Sequence, residues 1–245
     1  VGAKKAYKLA KKKGKSRVIF VSKLDRESAD FYKVLEQLKA TFGPSVCPLV
    51  VPIMEDKKVV CYVDLIHMKA YRYEGGKASE VPVRIDGLIA AISEAVAETD
   101  EELFEKFFSG EQFTHEELAK GLHEGIKSGS LTPVFCGSAQ TLEAIDLLLD
   151  GIADFLPTAE EMTGTVGSDA DGEPVDIVCN AEGPLVAQVF KTVADPFIGK
   201  LSYIKVISGT MTSGMEAVNM TSGQSEKIGK LIYMRGKKQE EAAKV

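Results

Sequence analysis

Two short runs of branched apolar residues narrow the topologies open to this chain. Arg17-Val18-Ile19-Phe20-Val21 and the run 131–135 are too short for helices, and each breaks into a polar loop followed by a helix-patterned segment. Near-continuous apolar runs of this kind belong to strands covered on both faces, as in a parallel sheet. After the first run, Ser22-Lys23-Leu24-Asp25 leaves as a loop. Ser28 is then expected to cap a helix whose apolar positions are Phe31, Val34, Leu35, Leu38 and Phe42, with Gly43 ending it. After the second run come Cys136-Gly137-Ser138-Ala139 and a helix expected over 141–155. Its apolar face is read as Leu142, Ile145, Leu148, Leu149 and Ile152. Strand, loop and helix in this order predict an α/β fold, part of a doubly wound sheet.

The spacing between the two loops is too large for one crossover. Asp25 and Ser138 are 113 positions apart, whereas a helix and the next strand need roughly 30 residues. The excess, about 46–127, reads as an α+β insertion. Strands are expected at 46–53, 58–63 and 69–73, and Glu74-Gly75-Gly76-Lys77 is a hairpin turn signal. Helices are expected at 84–98, 101–108 and 114–127, the last opened by a capping box from Thr114 to Glu117. Residues 157–183, rich in Glu, Asp, Gly, Thr and Ser, read as a linker or loop. From Pro184 onward short strands and glycine turns, including Asp195-Pro196-Phe197-Ile198-Gly199, suggest the start of a small barrel. Phe190, Phe197 and Tyr203 could stack RNA bases, but at strand spacing they are read as its core.

Charge is unevenly divided. Residues 4–17 carry eight Lys or Arg and no acid, on a segment read as a basic helix through about Lys13. Residues 94–124 carry ten Asp or Glu against Lys106 and Lys120. The net charge of −6 therefore conceals two surfaces of opposite sign, suited to docking unlike partners. No apolar run approaches the roughly 18 residues of a membrane span. The basic N-terminus lacks the apolar stretch of a signal peptide. Cys47, Cys61, Cys136 and Cys179 show no CxxC, and His67, His115 and His123 form no ligand grouping, so no metal site is read.

Gly14-Lys15-Ser16 imitates the end of a phosphate-binding loop, but Leu9 stands where the earlier glycine belongs and the segment precedes its strand. The other half of a guanine site fits better. Lys23-x-Asp25 at a strand end offers an acceptor-only carboxylate to two adjacent donors. Guanine has such a pair in N1–H and the 2-amino group, and adenine does not. Lys23 can lay its stem along the ring, and a backbone N–H of Gly137, Ser138 or Ala139 can face O6. The adjacent carboxylates Glu101-Glu102 and Glu116-Glu117 do not face each other on a helix, so no catalytic residues are assigned.

These segments resemble the middle of translation elongation factor G, and the departures suggest an elongation factor G-like paralogue. The matching stretches are RVIFVSKLDRE, EELFEKFFSGEQFTHEEL, PVFCGSA and LVAQVFKTVADPFIGKLSYIKVISGTMTSG. The resemblance implies a GTPase-type sheet of the P-loop NTPase class over 1–158, with the insertion at 46–127. A linker at 159–183 and the start of the domain II β-barrel at 184–245 would follow. It assigns nucleotide contacts to Ser22, Lys23, Leu24, Asp25, Gly137, Ser138 and Ala139. GTP or GDP is the implied ligand, with Mg2+ held only in the intact protein. Its implied partners are the ribosome, with the stalk protein on the acidic insertion and ribosomal RNA on the barrel.

The family pattern Asn-Lys-x-Asp departs here to Ser22-Lys23-Leu24-Asp25. A hydroxyl in place of an amide is expected to lose one hydrogen bond, about 1 kcal/mol. The chain begins at Val1 without methionine and is expected to be a fragment; with no phosphate loop or switch segments in it to hold the β- and γ-phosphates or Mg2+, it is expected not to hydrolyse GTP alone. A cytoplasmic monomer is expected, with no membrane partner. The alternative is a ribosome- or RNA-binding module that needs no nucleotide, and a metabolic α/β enzyme is the more distant rival.

Overall fold

The computed structural model describes residues 2–82, 90–162, 165–169, 171–195, 199–236 and 238–245. The chain divides into two units, Val1–Pro157 and Thr158–Val245.

The first unit opens with helix α1 (Gly2–Lys12), strand β1 (Ile19–Val21) and helix α2 (Phe31–Phe42). Asp30, rather than Ser28, caps α2, its carboxylate accepting from the Lys33 N–H at 3.0 Å. An aspartate one residue before the first apolar position sits in the cap register, which Ser28 misses by two residues. Gly43 closes the helix at φ 92°. The run expected as one strand at 46–53 divides at Leu49 into β2 (Val46–Pro48) and β3 (Val50–Glu55). There follow β4 (Lys58–Asp64), β5 (Lys69–Glu74) and β6 (Lys77–Val81), then α3 (Ala90–Ala97), α4 (Glu101–Phe108) and α5 (His115–Ser128). The expected helix over 84–98 is described only from Ala90, since 83–89 lie outside the described residues. Strand β7 (Thr132–Cys136) and helix α6 (Ile145–Phe155) complete the unit.

Strands β1, β7 and β2 form a parallel sheet in the order β1-β7-β2, with Val21 opposite Cys136 and Pro48 opposite Val134. The central strand β7 is buried at every residue, whereas β1 lies at the edge with half-buried side chains. The four strands β3-β4-β5-β6 form an antiparallel meander. Its last turn holds Gly75 and Gly76 at φ 57° and 78°, the left-handed pair a tight hairpin requires. One core joins both sheets to the acidic helices, with Phe31, Tyr62, Leu122, Ile126 and Val134 almost wholly shielded from solvent. Each such side chain contributes about 1.5–3 kcal/mol.

Helix α6 departs from its expected face. Leu142, Leu149 and Ile152 are exposed, and the buried positions are Leu147, Gly151 and Phe155. The backbone enters through left-handed residues at Leu142 (φ 60°) and Ala144 (φ 55°), which shortens the helix. Gly151 then lies so close to Phe135 that an added Cβ would sit 2.3 Å from its ring.

In the second unit, the stretch read as a linker carries a hairpin of β8 (Thr165–Ser168) and β9 (Pro174–Ile177). Beyond it lie β10 (Val186–Asp195), β11 (Gly199–Ser208), β12 (Glu216–Asn219), β13 (Gln224–Lys227), β14 (Leu231–Arg235) and β15 (Lys238–Ala242), paired as three further hairpins. The turn expected between β10 and β11 includes 196–198, outside the described residues, as is Phe197. A bulge between Val189 and Lys191 takes Phe190 out of register. The ring is consequently exposed rather than in a core, 6.2 Å from the half-buried Tyr203.

Candidate functional site

Ser22, Lys23, Leu24 and Asp25 follow directly on β1, and Gly137, Ser138 and Ala139 on β7. Because these neighbours run parallel and in register, both loops leave the same edge of the sheet, where open α/β sheets present ligand-binding groups. Two backbone bonds tie the loops together. The Leu24 N–H donates to the Gly137 carbonyl at 3.3 Å, and the Gly137 N–H to the Val21 carbonyl at 3.1 Å. Leu24 is buried as the anchor, while Ser22, Lys23 and Asp25 face solvent. Lys23 sits at φ 68°, a left-handed conformation that costs a residue with a Cβ about 1–2 kcal/mol. Strain of this kind collects at ligand-binding loops.

Ser138 is fully buried and organises the second loop. Its Oγ accepts from the Gln140 and Thr141 N–H groups at 3.3 and 3.2 Å. The neighbouring Ser138 hydroxyl is the main cause holding Asp25 below the usual carboxylate range, with the Asp25 backbone and the Arg26 and Lys23 charges adding to it. Asp25 is thus ionised and open to solvent, with acceptor capacity to spare.

The sequence left open which amide of this loop is available. The Gly137 N–H is taken by Val21, and the Ser138 N–H donates to the Glu143 carbonyl at 3.0 Å. Among the described residues the Ala139 N–H meets no acceptor, and Ala139 is exposed. It is an open donor in the loop adjoining the one that carries Asp25. Only glycine fits at 137, where a Cβ would fall 2.3 Å from the Glu143 carbonyl oxygen.

Two tyrosines of the insertion reach this loop, and sequence reasoning missed both. Tyr62 on β4, only 1% exposed, donates its hydroxyl to Glu143 Oε2 at 2.9 Å. Tyr73 on β5 donates to Asp146 Oδ1, in the first turn of α6, at 2.5 Å. Burial pushes both phenols up, and the carboxylates they face push them further. Their rings meet edge to face at 5.7 Å. The partners are 81 and 73 positions apart, and no local pattern links them.

The model of the elongation factor Tu GTP binding domain matches residues 2–158, and that of elongation factor G domain 2 matches 184–245. The chain belongs to the elongation factor G-like translational GTPases. Elongation factor G of Ureaplasma parvum serovar 3 is 33% identical to it, over 96% of this chain and 36% of that protein. An elongation factor G-like protein of Thermotoga maritima is 34% identical, over 98% of this chain and again 36% of that protein. A crystal structure from Thermus thermophilus superimposes with a TM-score of 0.81 at 32% identity, covering 100% of this chain and 35% of that one. The chain therefore spans about a third of the length of these relatives. Its α/β sheet and β-rich second unit are the parts of elongation factor G architecture that the resemblance implied. Among the described residues no helix is long and apolar enough to cross a membrane.

Proposed function

We propose that residues 1–158 supply the guanine-recognition half of a GTPase domain in a ribosome-associated factor of the elongation factor G type. The observation that carries this reading is the pairing of an open, ionised Asp25 with the open Ala139 N–H at the ends of adjacent parallel strands. Asp25 accepts from guanine N1–H and the 2-amino group, Ala139 donates to O6, and the Lys23 stem covers one face of the ring. Ser22, Leu24, Gly137 and Ser138 hold these groups in place. No residue of this chain is assigned to phosphate, to Mg2+ or to cleavage, so GTP hydrolysis and its coupling to translocation or a related step belong to the whole protein. A module that needs no nucleotide is not favoured, because the matching domain over 2–158 is a GTP-binding one.

The insertion, departing at Leu49, is the proposed dock for the ribosomal stalk protein. Helix α4 supports this reading, since Phe104 and Phe108 are exposed with ring centroids 4.5 Å apart among Glu101, Glu102 and Glu105. Exposed aromatic anchors within a charged rim suit a protein partner. The β-rich residues 184–245 are proposed to meet ribosomal RNA, and the protein to act as a cytoplasmic monomer.

Asp25→Asn tests the guanine site, in a protein carrying both halves of it. Xanthine offers a carbonyl where guanine has its amino group, and an amide can donate to it. Preference should swing from GDP to XDP by at least a few kcal/mol, read by displacement of a fluorescent nucleotide. If Asp25→Asn binds GDP as the parent does, Asp25 is a surface carboxylate and the assignment is wrong.

A further inference from the structure

Helix α1 carries Lys4, Lys5, Lys8, Lys11 and Lys12, all exposed, and no acid precedes Asp25 anywhere in the chain. At 3.6 residues per turn these five fall within about a third of the helix circumference. Among the described residues none of them forms an ion pair. Folding alone does not favour this arrangement. Lys4/Lys8 and Lys8/Lys12 are like-charge pairs four apart, Lys5/Lys8 and Lys8/Lys11 three apart, and Lys4 and Lys5 oppose the helix dipole at the N-terminus.

The other side of α1 fixes the helix firmly. Tyr7 stacks on Phe42 with centroids 4.0 Å apart, and its hydroxyl lies 3.3 Å from Ser45 Oγ and 3.2 Å from Thr132 Oγ1. The Arg17 guanidinium covers the ring at 4.9 Å. Ser45 and Thr132 stand at the amino ends of β2 and β7, the opposite edge of the sheet from Asp25 and Ala139. The lysine face is therefore rigidly presented and independent of the guanine loops.

We propose that this face is a docking surface for the phosphate backbone of RNA. Protein interfaces deplete lysine and enrich arginine and aromatic residues, and this face presents lysine alone. A membrane-surface helix needs an apolar side free to insert, but α1 offers only the single exposed Leu9, beside Ala6, Ala10 and a Tyr7 already packed on Phe42. Evenly spaced point charges with so little apolar surface between them suit a polyanion. RNA as that polyanion rests on the ribosome association proposed above, while binding can be measured without ribosomes or nucleotide.

Fluorescence anisotropy with a labelled single-stranded RNA 20-mer, titrated at 50 to 200 mM KCl, tests the proposal. Five contacts predict a slope of log K on log salt of about −3.5, about a hundredfold weakening over that range. Lys4→Gln/Lys8→Gln/Lys11→Gln keeps helix propensity, verifiable by circular dichroism, and should flatten the slope by about 2. Lys57→Gln/Lys58→Gln/Lys77→Gln, on the turns of the antiparallel sheet, should leave it unchanged. The proposal is overturned if the helix triple matches the parent, or if both triples lose binding equally. It is overturned too if polyglutamate or phosphatidylglycerol vesicles bind more tightly than the RNA through the same lysines. A parent protein that binds this RNA but not ribosomes would instead count against the ribosome reading alone.

Discussion

Tyr62 ties a buried phenol of the inserted sheet to the carboxylate of Glu143, whose own carbonyl accepts the Ser138 N–H. Removing the hydroxyl leaves a carboxylate oxygen with one donor fewer in a half-buried setting. Tyr62→Phe should therefore cost about 1–2 kcal/mol in urea unfolding and speed hydrogen exchange at the Ser138 N–H. Unchanged exchange at Ser138 would mean that the bond decorates the loop without holding it. At this scale the sequence was a partial guide. Asp25 and the Gly137–Ala139 loop were legible because strand ends in a parallel sheet have a fixed meaning. Which amide stays free was not, because Ser138 spends its own N–H on a residue five positions on, through a turn that left-handed backbone at Leu142 and Ala144 makes possible.

Helix α5 shows how a local signal becomes a stability term. The Thr114 side chain accepts from the Glu117 N–H at 3.2 Å, and the Glu117 carboxylate accepts from the Thr114 N–H at 2.7 Å. The same carboxylate takes both Lys106 contacts, at 2.7 and 2.8 Å. Lys106 first, and then the Thr114 backbone, lower the Glu117 pKa from 4.5 to about 2. A folded value below the unfolded one means stability that is fully present above about pH 4.5 and lost as pH falls toward 2. Glu117→Gln should melt below the parent at neutral pH, with the two melting curves converging over that interval. A gap that persists at pH 2 would assign the effect to packing instead. Capping boxes of this kind are readable because donor and acceptor are three residues apart. The face of α6 was not readable, since its closest contact is made by Gly151, which contributes by having no side chain at all.

Over the whole chain, charge separates the proposed docking surfaces. The acids of α4 and α5 face the proposed stalk contact, and reversing Glu101, Glu102 and Glu105 to Lys should slow association with the isolated stalk protein at low salt. Equal on-rates for parent and variant would reduce the acidic helices to a solvated face. The change of direction at Leu49 has a mechanical meaning. Its N–H donates to the Val134 carbonyl at 2.9 Å while its carbonyl accepts from Leu65 at 3.0 Å, so one residue is stitched into both sheets. The insertion is thus spliced to the strand beside β7 rather than hung from a hinge. A pull on it by a partner meets paired backbone at Leu49 and would travel as torque into β7, whose last residue precedes Gly137.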